Sequence, residues 1–280
     1  METGDRYRAP DPGSGSPLKW EIPLWAAACG GIAAGIWPLS SQDGLRLLMT
    51  FLLVGVGWAR FWRALAATDW ATLLEGWRTW SAGESRLALP YTRPGSPAHR
   101  LARWLGQLIL WGRTVFLPAA GPALGTAGVS LAAALILSAA LGENSLLLAL
   151  GVFALTQMAL LQSGGTGRVG AGWHALMGVG IPWLAGHLAL SPLSLSSAVL
   201  AGAFSLVAYG WTCTSAPSGP LAWVGGYMGA AALFLLTGRP LVVPYLVLVM
   251  LLPLLSAGSP AWKPRALWLV GGMLLAAVAL

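Results

Sequence analysis

The sequence predicts an all-α protein, a polytopic bundle of about nine membrane-spanning helices. Three observations lead there. The 280 residues are 56% hydrophobic and only 9% charged, against about 25% charged in a soluble domain. The apolar residues gather into runs near the ~20 residues that carry a helix across the hydrocarbon. Backbone amides in lipid must bond internally, which leaves helices or a closed barrel, and the two-residue alternation of a membrane barrel is missing.

In chain order, residues 1–20 (METGDRYRAPDPGSGSPLKW) are polar and rich in Pro, Gly and Ser. They read as a disordered cytoplasmic tail. No small-residue cleavage site follows, so they do not read as a signal peptide. Nine apolar segments come next: roughly 22–39, 45–67, 122–141, 144–162, 174–191, 193–211, 220–236, 240–256 and 262–280. Together, 21–280 form one transmembrane domain. Pro182, Pro244 and Pro253 fall inside segments, where packed neighbours satisfy the carbonyls that a proline frees. "GGIAAG" (30–35) and "GGYMGA" (225–230) allow close helix contact. The third and fourth segments, and the fifth and sixth, are separated only by "GEN" and "SP", so each pair reads as an antiparallel hairpin.

The basic residues orient this bundle. With the amino terminus in the cytoplasm, 14 of the 16 Lys and Arg residues fall on the inner side, and only Arg46 and Arg239 fall outside. Such a bias sets orientation and puts the carboxyl terminus outside an inner or cell membrane. The net charge of +7 is then explained by topology and anionic headgroups, not by nucleic acid. Residues 68–121 read as a cytoplasmic loop whose Trp, Arg and Leu, at helical spacing, form interfacial helices. A shorter inner loop is "TCTSAPSG" (212–219).

Little in the chain suggests familiar chemistry. Cys29 and Cys213 have no metal-type spacing and read as small apolar residues. Of the three histidines, His174 and His187 border one span, about 20 Å apart along a helix, and cannot share a metal. "SGGTGRVGAG" (163–172) lacks the Gly-Lys-Ser/Thr ending of a phosphate loop and reads as a turn. Mid-span charge, the usual mark of a transporter, is nearly absent. The stiff loop "LPYTRPGSPAHR" (89–100), with Tyr91, Arg93 and His99, reads as a partner-docking segment or a packed cap. Most of the sixteen tryptophans fall at span borders, as in an interfacial aromatic belt.

The stretch "RFWRALAATDWATLLEGWRTW" (60–80) combines Arg60, Arg63 and Arg78 with two lone acids, Asp69 and Glu75. With nine helices, a cytoplasmic amino terminus and inner loops after spans 2 and 6, the chain resembles the UbiA family of membrane prenyltransferases. "LQSGGTGRVGAGWHALMGVGIPWLAGH" (161–187) repeats a family order in Ser163, Arg168, Gly178, Pro182 and Gly186. The resemblance implies Mg²⁺ held by two aspartate clusters, which bind the diphosphate of an isoprenoid donor. This chain departs from that pattern. Aligning the first cluster on Asp69 leaves Thr68, Thr72 and Gly76 at its other positions, with Glu75 one residue out of register. The loop after span 6 has no acid, and the last acid of the chain is Glu143.

The expectation is therefore a UbiA-like protein without metal-dependent transfer. It would bind lipid, an isoprenoid or a quinone, or serve as a subunit beside other membrane proteins. No cofactor is expected. Arg60, Arg63, Arg78 and Arg168 are candidate phosphate contacts, since guanidinium grips phosphate oxygens as a fork. The alternative is an active, divergent prenyltransferase with Mg²⁺ on Asp69, Glu75 and Glu84, and Arg63, Arg78 and Arg168 neutralising the diphosphate. A small-molecule transporter is the third reading.

Overall fold

The computed structural model describes residues 21–35, 38–80, 95–163, 169–213, 218–255 and 266–280, with backbone alone at Arg78, Thr79 and Leu254. The amino-terminal tail, Glu84, Tyr91, Arg93 and Arg168 lie outside the described residues. The described residues are helical apart from short turns and connections, and no strand occurs among them.

Helix α1 (Glu21–Ala33) ends near Gly35, whose φ of 72° suits glycine. α2 (Ser41–Leu52) starts from a capping box: Ser40 Oγ accepts from the Asp43 amide and the Asp43 carboxylate accepts from the Ser40 amide. It passes through a π turn (Leu53–Trp58) into α3 (Ala59–Ala66). A short helix, α4 (Trp70–Thr79), follows. α5 (Pro97–Trp111) begins on a Ser96 cap with proline at its start. A second π turn (Gly112–Phe116) joins it to α6 (Leu117–Leu141). Gly142, at φ 116°, reverses the chain into α7 (Glu143–Ser163).

α8 (Ala171–Ala175), a third π turn (Leu176–Gly180) and α9 (Ile181–Leu190) form one continuous stretch. Four residues separate it from α10 (Leu195–Thr212), capped by Ser194. α11 (Ser218–Leu236), a 3₁₀ turn (Pro240–Val242) with α12 (Val243–Leu255), and α13 (Ala266–Ala279) complete the order.

Five helical stretches are long and apolar enough to cross a membrane: Ser41–Ala66, Pro97–Leu141, Glu143–Ser163, Leu195–Thr212 and Ser218–Leu236. The remaining expected spans are largely helical but fall outside these five. α1 and α12 have 13 residues each and α13 has 14, rises of about 20 Å against a hydrocarbon of ~30 Å. The expected span at 174–191 falls in the continuous stretch Ala171–Leu190. The third span, expected from 122, belongs to a helix that begins at Pro97. Gly112, Pro118 and Pro122 signal a break, but Pro118 lies two residues beyond a π turn. The wider turn relieves the clash between the proline ring and the carbonyl four residues back, at Thr114. Pro182 stands in the same relation to the turn ending at Gly180.

Among the described residues, two larger packed regions and a smaller one around Phe61, Leu65 and Ala127 hold the helices together. Between α1 and α8–α13, Trp183, Phe204, Trp223, Tyr227 and Phe234 are fully buried. Trp183 stacks on Phe204 at 5.6 Å, and Tyr227 meets Phe204 edge-on at 6.0 Å. A second core gathers Leu53, Val54 and Trp58 with Ala134, Ala149 and Val152. α1 and α9 touch backbone to backbone. A Cβ on Gly186 would sit on the Ala27 carbonyl, and one on Gly30 on the Trp183 carbonyl. The fully buried Trp183 indole donates to Ser197 Oγ at 3.0 Å, and Tyr227 donates to the Trp268 carbonyl at 2.9 Å, so these polar tips are satisfied.

Candidate functional site

The candidate site of the sequence, residues 60–80, lies where α3 meets α8. α3 is amphipathic: Phe61, Trp62 and Leu65 are buried, while Arg60 and Arg63 are exposed. Three residues apart, the two arginines are neighbours on one helix face. Arg63 turns its Nε back onto the Ala59 carbonyl at 3.0 Å. On the buried face, the Trp62 indole donates to His174 Nδ1 at 3.1 Å. Accepting there, a neutral His174 carries its proton on Nε2. Trp173 donates to Gln162 Oε1 at 2.9 Å, which ties the start of α8 to the end of α7.

Asp69 is exposed and serves as the amino-terminal cap of α4. Its Oδ1 accepts from the Thr72 amide at 3.1 Å and its Oδ2 from the Thr72 hydroxyl at 2.8 Å. These two bonds hold its carboxyl below the usual range, since they favour the charged form. Trp70 donates from its indole to the Leu65 carbonyl at 2.8 Å and fixes α4 against the end of α3. Glu75 is exposed further along α4, a rise of about 9 Å from the cap.

The aligned positions Thr72 and Gly76 carry no acid, and among the described residues no group of three or more His, Cys, Asp or Glu is placed to hold a metal ion. The donors present at Asp69 therefore fit a helix cap. Among the described residues, they do not assemble the oxygen-rich shell that Mg²⁺ takes up.

α5 adds further cations. His99 is half-buried, and its amide donates to the Ser96 cap at 3.2 Å. Arg100, Arg103 and Arg113 are on the surface beside the exposed Leu101, Trp104 and Ile109. Trp77 of α4 meets Trp111 of α5 edge-on at 5.5 Å. The segments from α3 to the end of α5 thus carry arginines interleaved with indoles.

Of the predicted site residues, the fold brings Arg60, Arg63 and Asp69 onto neighbouring segments and leaves Glu75 a turn and a half away. Arg78 lies on α4. Sequence reasoning missed the Trp62–His174 bond, which joins residues 112 apart. Comparison with family models, with curated proteins and with solved structures gives no match.

Proposed function

We propose that this chain is a nine-crossing, UbiA-like membrane protein without metal-dependent prenyl transfer, acting as a lipid-binding subunit of a membrane complex. The observation that carries this reading is the role of Asp69. It is the only acid in register with the family's first cluster, and both its oxygens are engaged as a helix cap. No carboxylate side chain follows Glu143 to supply a second cluster. An active divergent transferase would have to draw its first ligand from a carboxylate already engaged as the α4 cap.

Lipid binding is supported by charge and length. The continuous helix Pro97–Leu141 has 45 residues and rises about 67 Å, roughly twice the hydrocarbon thickness. Its α5 half, carrying Arg100, Arg103 and Trp104, suits the headgroup layer, where basic side chains snorkel and indoles anchor. The Lys and Arg bias of the sequence supports an amino terminus inside and, with nine crossings, a carboxyl terminus outside the cell membrane. An isoprenoid or quinone tail is one apolar guest that such a subunit could take.

The test is incubation of the purified protein with Mg²⁺, labelled prenyl diphosphates and aromatic acceptors. No product is expected, and anionic lipid or a stoichiometric membrane partner should be retained in mild detergent. Product formation that disappears in Asp69→Ala contradicts the reading.

A further inference from the structure

We propose that the Trp62–His174 pair is an acid-sensitive latch between α3 and α8, closed while the imidazole is neutral and opened by its protonation. The direction of the hydrogen bond carries this. The Trp62 indole is a donor only, and its nitrogen lies 3.1 Å from His174 Nδ1. The bond therefore exists only while Nδ1 keeps its lone pair. A protonated imidazole carries N–H groups at both nitrogens, and two donors would then face each other across the same gap. Trp62 is buried, and a buried donor that loses its acceptor is costly. His174 is half-buried, which leaves its ring within reach of protons.

The surroundings give a charged imidazole no counter-ion. α8 packs on α10 and runs into the π turn at Leu176–Gly180. α10 carries Tyr209, whose ring faces Gly172, and ends at Cys213; both groups are neutral where an ordinary imidazole titrates. The π turn itself has no titratable group, and α1, which touches it, starts at an exposed Glu21. α3 brings two cations, Arg60 and Arg63, which oppose a further positive charge. Asp69, beyond the end of α3, is turned onto Thr72. On α7, Gln162 lies near the end and the one acid, Glu143, at the start. None of these acids bonds to His174 among the described residues, so protonation breaks one bond without making an ion pair in return.

The bond joins two separately packed pieces. Phe61 and Leu65 fix α3 to Ala127 of α6, and the Phe61 ring meets Phe153 of α7 at 6.2 Å. Ala175, next to His174, belongs to the large core with Ala201, Phe204 and Ala208 of α10. Both pieces are short. α3 has 8 residues and follows a π turn, and α8 has 5 and precedes one; such turns recur at functional sites. Beside the latch, Trp173 donates to Gln162, a tie with no titratable group. Acid thus loosens α3, with Arg60 and Arg63 on its outer face, from α8.

The experiment is hydrogen exchange of the full chain in detergent, read at the α3 amides at about pH 8 and about pH 5, on either side of the ordinary imidazole range, and corrected for the intrinsic rate at each pH. Wild-type protection should fall roughly tenfold in acid, the scale of one buried donor left unpaired. His174→Gln keeps an acceptor but does not titrate, and its protection should stay within about twofold across this range. Gln162→Leu removes the tie that does not titrate and should keep the acid-induced fall. Unchanged wild-type protection, an equal fall in His174→Gln, or no fall in Gln162→Leu overturns the proposal. Should His174→Gln fail to fold, Trp62→Phe takes its place, since it keeps a ring and removes the donor; its response to acid should vanish, and a persisting response overturns the latch. Nitrogen NMR of the wild-type imidazole needs no variant. At about pH 8 it should show Nδ1 bare and Nε2 protonated, and the opposite tautomer overturns the assignment.

Discussion

Asp69 shows how a residue can resemble a ligand in the sequence and serve as a cap in the fold. Both its oxygens bond to Thr72, one to the amide and one to the hydroxyl. Asp69→Ala should cost about 1 kcal/mol, the usual value of such a cap, read as a lower unfolding midpoint in detergent. The pH dependence follows from the direction of the shift. The carboxyl is held below its ordinary value of 3.8, so its stabilising effect is complete above that value and disappears as pH falls through the lower folded value. Wild type and Asp69→Ala should therefore differ at neutral pH and converge in acid. The letters Asp-Trp-Ala-Thr are a legible cap signature; what hid it was reading them against a metal motif. The Trp62–His174 bond was not legible, because no local pattern predicts a partner 112 residues away.

Among the elements, the apolar runs were the most legible feature, and each expected span overlaps a helix among the described residues. Their ends were not. Prolines and glycines around 112–122 suggest a boundary, yet a π turn carries α5 into α6 without interruption. The glycine motifs did foretell close contact, although the pairing of Gly30 with Trp183 and of Gly186 with Ala27 is visible only in the fold. Gly186→Ala should force α1 and α9 apart and cost at least ~2 kcal/mol, as overpacking does. Gly202→Ala on α10, where a Cβ meets nothing within 4 Å, should stay within about 0.5 kcal/mol of wild type. Thermal or denaturant unfolding of the two variants side by side checks the contrast, and equal effects would refute backbone contact between α1 and α9.

For the whole molecule, composition alone made a membrane bundle legible. Five long apolar helices accord with it, and the shorter helices leave the number of crossings to a topology measurement. In a Cys213→Ser background, Thr237→Cys should react with an impermeant thiol reagent in intact cells. Arg100→Cys should react only after permeabilisation. Labelling of both in intact cells would refute the proposed orientation. The scarcity of acids limits function more than the fold does, because a hard divalent ion needs oxygen ligands wherever the helices run. The most direct measurement is therefore the binding of a prenyl diphosphate to the purified protein with and without Mg²⁺. The account predicts no binding that requires the metal. Mg²⁺-dependent binding that is lost in Asp69→Asn would contradict it.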